Sequence, residues 1–368
     1  MTGGSEDPCR WRSSVSLGAI LASIVTMAGL ALALFLVRQR LRQFLPRLAP
    51  YRRRRAQVRR PALVVNPRSG DGGAGRVGLV EQAEQRGVHV LVAELGDDFA
   101  ALAREAVEDG ADALGIAGGD GSLAAVAEVA SEHGLPFFVV PVGTRNHFAM
   151  DLGLERTDPL AALEALEGEE ILIDCGRVNG RLFLNTLSLG LYAEAVQEEG
   201  YREHKAETLL SEIHEALHHP GRRPDLRFTT PDGEQHDTAA FVLLSNNPYA
   251  WSGPPDFAHR VRLDRGRLGI VAASEHHDRH RPSRLLAKGV GLYEFSADSY
   301  RVDAESGEIR AGVDGESVRL EAPVLARVEQ QGLRVLVPLG VKPGWLAPPA
   351  RLAADVLHLF EVASRRDS

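Results

Sequence analysis

The chain contains few cysteines and few aromatic residues. Among its 368 residues there are two cysteines, and 6% are aromatic. Cys9 and Cys175 are too few for a disulfide framework or a zinc ribbon, so disulfide-rich secreted folds are excluded and an intracellular body is predicted. The basic block Arg52–Arg55 has no aromatic residues interleaved with its arginines, and we therefore predict no nucleic-acid partner.

Charge is distributed unevenly along the chain. The formal net charge of −8 combines a balance of +10 over residues 1–60 with a balance of −18 over the remaining 308 residues. A basic leader joined to an acidic body predicts that the two parts have different tasks. The length and the 44% hydrophobic content are sufficient for two or more folding units.

An uncharged apolar run over residues 15–37 is predicted to be a transmembrane helix. Its 23 residues would extend about 34 Å as a helix, enough for a hydrocarbon core of about 30 Å. A signal peptide is the competing interpretation, but its apolar region normally covers only about 7–15 residues. The tail 1–14 has little net charge and the linker 38–60 is basic, so the body is predicted to be cytoplasmic in a single-pass protein of the cell membrane, with Arg52–Arg55 near anionic headgroups.

From Pro61 onward, short apolar runs alternate with segments of helical periodicity. This alternation predicts a mostly parallel, covered α/β sheet. The predicted strands are 62–66, 88–95, 111–117 and 136–142, and the predicted helices are 76–87, 97–110 and 122–134.

Three loops follow the first, third and fourth of these strands: 66–70, 118–122 and 143–146. Ligands of open α/β sheets bind at the carboxyl ends of the strands. The turn 118–122 leads directly into a helix, so its backbone N–H groups suit a phosphate, while the Asp120 carboxylate suits Mg²⁺ or ribose hydroxyls. It is neither a Walker A loop nor a G-x-G-x-x-G motif, and tight packing between strand and helix remains the alternative for any one such turn.

The motifs NPRSG (66–70), GGDGS (118–122) and PVGTRNHFAMDLGL (141–154) resemble the diacylglycerol kinase catalytic domain. That family includes bacterial diacylglycerol and lipid kinases and the sphingosine and ceramide kinases, and it is similar in fold to NAD kinases. The resemblance implies transfer of the ATP γ-phosphoryl group to a lipid hydroxyl, with Mg²⁺. A homodimer is compatible with it.

The resemblance also implies a division of the body into two domains. A nucleotide-binding α/β domain would comprise residues 61–165 together with 324–345. An antiparallel β-sandwich over 166–323 would bind the lipid, and residues 346–368 would form a C-terminal helix or tail. Within the β domain, 170–185 is predicted to be a hairpin with Asn179-Gly180 at its turn.

Site residues follow from the same resemblance. Those expected to hold the nucleotide are Asn66, Ser69, Gly70, Gly118, Gly119, Asp120, Gly121, Ser122, Gly143, Thr144 and Asn146. Glu316 is expected to be the general base, with Asp314 and Asp120 as further catalytic residues. Asp120, Asp314 and Asp264 are the candidate ligands of Mg²⁺. The triplet Asp232-Gly233-Glu234 repeats the letters of 314–316, and only the order of the family's elements favours Glu316.

Several positions depart from the family pattern. Ala124 and Ala125 stand where the family has an Asn-Glu pair, His147 replaces an aspartate, and Arg265 replaces an aspartate in a metal-binding loop. These changes fit either a distinct substrate or a loss of catalysis. An NAD kinase-like enzyme and a catalytically silent nucleotide- or lipid-binding membrane protein therefore remain as alternatives.

Overall fold

The structure is a computed structural model, and it describes residues 51–70, 78–143, 146–155, 158–190, 225–250, 259–260, 262–275, 284–287 and 290–343. The predicted segments 1–14, 15–37 and 346–368 lie outside these ranges, as do Thr144 and residues 38–50 of the predicted linker. Within the described ranges, no helix is long and apolar enough to cross a membrane.

Helices and strands alternate at first and give way to strands. The helices are α1 (Leu79–Gln85), α2 (Phe99–Glu108), α3 (Asp120–Glu132) and α4 (His147–Asp151), followed by a 3-10 helix (Ala161–Glu167). The strands are β1 (Arg53–Arg55), β2 (Pro61–Val65), β3 (His89–Val92), β4 (Ala113–Gly118), β5 (Phe137–Pro141), β6 (Glu169–Val178), β7 (Arg181–Phe183), β8 (Thr186–Gly190), β9 (Phe228–Thr229), β10 (Gln235–His236), β11 (Ala239–Asn246), β12 (Tyr249–Ala250), β13 (His259–Arg260), β14 (Leu268–Glu275), β15 (Arg284–Ala287), β16 (Val290–Ala297), β17 (Ser299–Val302), β18 (Glu308–Val313), β19 (Glu316–Glu321) and β20 (Val324–Val337).

The first sheet has a parallel core, as the sequence predicts. Its order is β1-β6-β20-β5-β4-β2-β3, and β2 to β5 together with the end of β20 run parallel. Every residue of β2, β4 and β5 is buried. Strands buried on both faces need covering layers, which the helices and the 3-10 helix supply through the apolar clusters they share with the strands.

The second sheet is wholly antiparallel and has the order β15-β16-β14-β11-β8-β18-β19. The predicted hairpin turn lies between β6 and β7, where Asn179 and Gly180 have φ angles of 46° and 93°. Positive φ at both central residues is typical of a type I′ turn, which Asn-Gly favours.

The two sheets share one apolar cluster. Val178, Phe183 and Val324 of the first sheet pack with residues such as Leu187 and Val242 of the second. Strands β6, β7 and β17 lie within the segment 166–323, but they are hydrogen-bonded into the first sheet through β20 and β6. The division implied by the resemblance follows the order of the chain, whereas membership of a sheet follows strand pairing, which an alternation pattern does not specify.

Part of the predicted basic linker belongs to the first sheet. Arg53 pairs in register with Ile171 of β6, and its guanidinium forms an ion pair of 2.6 Å with Glu169. Just before it, the buried Tyr51 hydroxyl accepts a hydrogen bond of 2.9 Å from the backbone N–H of Leu263. Residues 51–55 are therefore part of the folded body.

Candidate functional site

The three predicted loops meet at the carboxyl ends of β2, β4 and β5. The Ser69 hydroxyl accepts a hydrogen bond of 3.1 Å from the Gly119 N–H, which joins the first loop to the second. A β-carbon on Gly143 would lie 2.4 Å from the Gly119 Cα, and one on Gly70 would lie 1.9 Å from the Val142 carbonyl oxygen. The backbones of the three loops are thus in direct contact.

The glycines of these loops serve two purposes. At Gly70, Gly118 and Gly143 the place of a β-carbon is filled by protein atoms; at Gly118 it lies 2.2 Å from the Ser122 hydroxyl oxygen. The side of Gly121 is open, because the nearest atom to a β-carbon there would be Glu316 Cγ at 3.7 Å. Tight packing against the backbone therefore explains the glycines at 70, 118 and 143, whereas Gly121 leaves room for a ligand.

Two residues that are predicted to bind the nucleotide, Asn66 and Asn146, form hydrogen bonds within their own loops. Asn66 Oδ1 accepts a hydrogen bond of 3.1 Å from the Arg68 N–H. The Asn146 side chain is buried, accepts from the Gly143 N–H at 3.1 Å and donates to the Gly143 carbonyl at 2.6 Å. These amides shape the loops on either side of the second turn.

Asp120 begins α3 and joins it to α4. Its carboxylate accepts hydrogen bonds from the backbone N–H groups of His147 (2.9 Å) and Phe148 (3.2 Å), which are unpaired donors at the start of α4. It also accepts one from Asn185 Nδ2 at 3.1 Å. The departure at 147 leaves this connection intact, because only the backbone of His147 takes part in it.

Asp314 is a buried carboxylate in the turn between β18 and β19, where its φ is 50°. It accepts three backbone hydrogen bonds, from Leu184 (2.7 Å), Asn185 (2.7 Å) and Thr186 (2.9 Å). Burial raises the pKa of Asp314 to about 6, the three N–H groups oppose that rise, and the charge of Asp120 adds to it. Asp314 therefore holds the segment that leads from β7 into β8.

Glu316 lies at the same turn with its side chain about half exposed (47%). Arg181 Nη2 donates to its carboxylate at 2.5 Å, and the side chain passes over Gly121 at the start of α3. In contrast, Glu234 lies on the β9–β10 hairpin, 3.5 Å from His236. Of the two Asp-Gly-Glu triplets, the structure brings that of Glu316 to the three loops.

A buried guanidinium that the sequence did not predict, that of Arg260, lies next to Asn185, the residue that contacts both Asp120 and Asp314. Arg260 has no exposed surface, and it donates to Asp151 and Asn185 as well as to the Leu184 and Asn246 carbonyls. Burial would lower the pKa of Arg260, but the nearby charge of Asp151 raises it overall, so the guanidinium is charged. No sequence signal marks Arg260, because the apolar residues that follow it are Val261 and Leu263 and an alternating pattern would place Arg260 on the opposite face.

The three predicted metal ligands do not come together. Asp264 is held by a two-pronged hydrogen-bonded pair with Arg262, at 2.6 Å and 2.5 Å. Among the described residues, no group of three or more His, Cys, Asp or Glu side chains is arranged to hold a metal ion. The oxygens of Asp120 and Asp314 accept hydrogen bonds from N–H donors, so both carboxylates hold the neighbouring backbone and Asn185 in place.

Comparison with known proteins identifies the first part of the body. Residues 60–178 match the sequence model of the family described as Diacylglycerol kinase catalytic domain. The resemblance recognised from the three motifs is thereby confirmed.

Two curated relatives illustrate the similarity. A diacylglycerol kinase of Mycobacterium tuberculosis strain H37Rv is 33% identical over 130 residues, which cover 34% of this chain and 42% of the relative. A protein of Chromohalobacter salexigens named "Probable lipid kinase YegS-like" is 30% identical over 205 residues, which cover 53% of this chain and 64% of the relative. In both cases the match spans less than two thirds of the relative's length.

A crystal structure of a diacylglycerol kinase from Bacillus anthracis str. Sterne has the same fold. It matches 78% of this chain and 100% of its own length with a TM-score of 0.55 at 19% identity. The likeness confirms the α/β fold with a parallel-containing sheet and a separate antiparallel sheet.

Proposed function

We propose that the chain is an ATP-dependent lipid kinase, which transfers the γ-phosphoryl group of ATP to the hydroxyl group of a lipid. The observation that carries this proposal is the position of Glu316 beside Gly121, at the first turn of α3. Phosphoryl transfer needs a place for phosphate oxygens and a carboxylate within reach of the acceptor hydroxyl. The match of residues 60–178 to the diacylglycerol kinase catalytic domain supports the same reaction class.

The start of α3 supplies the place for phosphate. The first N–H groups of a helix have no acceptor within the helix and carry the positive end of its dipole. Gly119 is the residue before α3, and because glycine has no side chain it cannot cap the N–H groups of the first turn. With the open side of Gly121, this leaves backbone donors for the oxygens of the transferred group.

Glu316 is assigned as the general base. The oxygen of the lipid hydroxyl attacks the γ-phosphorus, the bond from that phosphorus to the bridging oxygen breaks, and ADP leaves with the electron pair. The hydroxyl proton passes to the Glu316 carboxylate. Arg181 orients that carboxylate and adds a positive charge beside the phosphoryl oxygens.

Asp120 and Asp314 receive positioning roles in this proposal. Their carboxylates hold α4 and the segment after β7 through the N–H groups they accept. Mg²⁺ enters this proposal as the partner of ATP.

The membrane location rests on the sequence. The uncharged run 15–37 would hold the protein in the cell membrane, with the basic residues after it, and hence the catalytic body, on the cytoplasmic side. Arg52, Arg54 and Arg55 are exposed and available for anionic headgroups. An anchored enzyme would find its lipid hydroxyl, diacylglycerol-like or sphingoid, in the same bilayer. Protease protection of a C-terminal tag in sealed vesicles tests this orientation.

A transfer assay tests the reaction. Full-length protein in mixed micelles is incubated with γ-labelled ATP, Mg²⁺ and, in separate reactions, diacylglycerol, a sphingoid base, ceramide, a polyprenol or NAD. A labelled lipid supports the proposal. Product from NAD alone would identify an NAD kinase, and nucleotide binding with no product would identify a silent binding protein.

A further inference from the structure

We propose that Arg260 is a positioning residue, whose buried guanidinium sets the orientation of the Asn185 side chain and, through it, the Asp120 carboxylate at the start of α3. The inference rests on the proposed function for its catalytic consequence. The contacts on which it depends are present in the structure whatever the substrate.

Each nitrogen of the Arg260 guanidinium donates to at least one acceptor, and the guanidinium carbon lies 5.6 Å from the centroid of the Tyr249 ring. Nε donates to Asp151 Oδ2 at 2.6 Å, and the Arg260 backbone N–H donates to Asp151 Oδ1 at 3.2 Å. Nη1 donates to the carbonyl oxygen of Asn246 at 3.0 Å and to that of Leu184. Nη2 donates to Asn185 Oδ1 at 2.7 Å. The planar fork of an arginine can meet these separate acceptors together, whereas a lysine ammonium cannot.

The contact with Arg260 determines which way the Asn185 amide points. Arg260 has donors only, so the Asn185 oxygen must face it. The Asn185 NH₂ group then faces Asp120 and donates to Oδ1 at 3.1 Å. The opposite orientation would put NH₂ against the guanidinium and an oxygen against the carboxylate, and both contacts would be repulsive.

Asn185 is also held through its backbone. Its N–H donates to Asp314 Oδ1 at 2.7 Å, and its carbonyl oxygen accepts from the Asn246 N–H at 3.0 Å. The side chain is therefore a fixed link between Arg260 and Asp120, the residue that joins α3 to α4. Loss of the Arg260 donor would free the amide to turn and would remove one of the three hydrogen-bond donors to the Asp120 carboxylate.

The competing explanation is that Arg260 serves only to neutralise Asp151. Both side chains are almost completely buried, and removing one member of such a pair is strongly destabilising because an unpaired buried charge remains. If the pair is purely structural, breaking it will lower the stability of the fold but will not change kcat through Asn185. The variant that separates the two explanations must keep the charge beside Asp151.

Arg260→Lys keeps that charge but lacks the fork that reaches Asn185. We compare Arg260→Lys, Asn185→Ala and the double variant in the full-length protein by measuring kcat, the KM for ATP and the melting temperature. Each single variant is expected to lower kcat about tenfold through misplacement of the site, with the KM for ATP changed less than about twofold. Because both changes break the same link, kcat of the double variant should be less than about twofold below that of either single variant.

Arg177→Lys is the matched control. Arg177 is a mostly buried arginine that pairs with Glu128 and Glu329, away from the loops at the strand ends. This substitution should lower the melting temperature and leave kcat unchanged. A wild-type kcat for Arg260→Lys, or losses that multiply in the double variant, would overturn the proposal.

A second measurement needs no turnover. The side-chain NH₂ protons of Asn185, assigned by their disappearance in Asn185→Ala, should exchange with solvent slowly in the wild type and at least about tenfold faster in Arg260→Lys. Equal exchange would overturn the proposal even if the protein phosphorylates lipids. If the wild type phosphorylates none of the lipids, the proposed function fails, and this exchange still decides whether Arg260 orients Asn185.

Discussion

Glu316 and Gly121 face each other across the open side of the first turn of α3, with Glu316 Cγ 3.7 Å from the position of a β-carbon at residue 121. That distance is an ordinary van der Waals contact, so Gly121→Ala fits the folded protein. Alanine is also the better helix former, by about 1 kcal/mol. We therefore expect Gly121→Ala to keep or raise the melting temperature.

The same methyl group would occupy the space assigned to phosphate oxygens. We expect Gly121→Ala to raise the KM for ATP about tenfold, equivalent to a loss of about 1.4 kcal/mol of binding. Initial rates at varied ATP measure this effect. An unchanged KM would show that nucleotide phosphates bind elsewhere.

The packing of the first loop gives a stability prediction. Gly70 and Gly87 have similar φ angles, 59° and 74°, but a β-carbon on Gly70 would meet the Val142 carbonyl oxygen whereas one on Gly87 would meet nothing within 4 Å. Gly87→Ala should cost about 1 kcal/mol of unfolding free energy for backbone strain. Gly70→Ala should cost about 1–3 kcal/mol more for the clash. Urea denaturation compares them, and equal costs would contradict the close contact of the loops.

The ion pair of Arg181 with Glu316 is partly exposed on both sides (39% and 47%) and contributes little to stability. We expect Arg181→Met to leave the melting temperature nearly unchanged but to lower kcat tenfold or more, because the base loses its orientation and the site a positive charge. Arg319→Met, which breaks the exposed pair with Glu308 in the same sheet, is the control and should leave kcat unchanged. Equal kcat values in both variants would exclude Arg181 from the site.

The four parallel strands β2 to β5 and the meeting of their loops could be predicted from the sequence because both depend on local patterns. Apolar runs, helical spacing and glycine turns are each read within a few residues. The pairing of β6 with β20 and the roles of the individual glycines could not be read in this way. In the sequence, Gly70 and Gly143 cannot be distinguished from Gly121. Only the structure shows that backbone atoms lie against the first two and that the space beside Gly121 is open.

The Arg260 network was beyond sequence reasoning for a related reason. Its members Asp151, Asn185, Asn246 and Arg260 come from four separate parts of the chain, and only Asp151 lies in one of the three motifs. The Asp-Gly-Glu at 314–316 was favoured only by the order of elements. The contact of Glu316 with the α3 turn now supports that choice through geometry.

Asp314 gives a pH prediction. Its pKa is raised from the ordinary value of 3.8 to about 6, so the folded protein binds this proton more tightly than the unfolded chain. The resulting stabilisation is complete below about pH 4 and is lost as the pH rises through about 6. The unfolding free energy of the wild type minus that of Asp314→Asn should fall by about 1–3 kcal/mol between pH 4 and pH 7. A rise over this range would contradict the raised pKa of this buried carboxylate.

The two Asp-Gly-Glu triplets allow a test of whether Glu316 removes the proton from a lipid hydroxyl during phosphoryl transfer. Lipid phosphorylation from γ-labelled ATP is measured for the wild type, Glu316→Gln and Glu234→Gln, with melting temperatures as a check on folding. Glu316→Gln should lower kcat by about 100-fold or more while ATP binding persists, and Glu234→Gln should match the wild type. Wild-type kcat in Glu316→Gln would contradict the account.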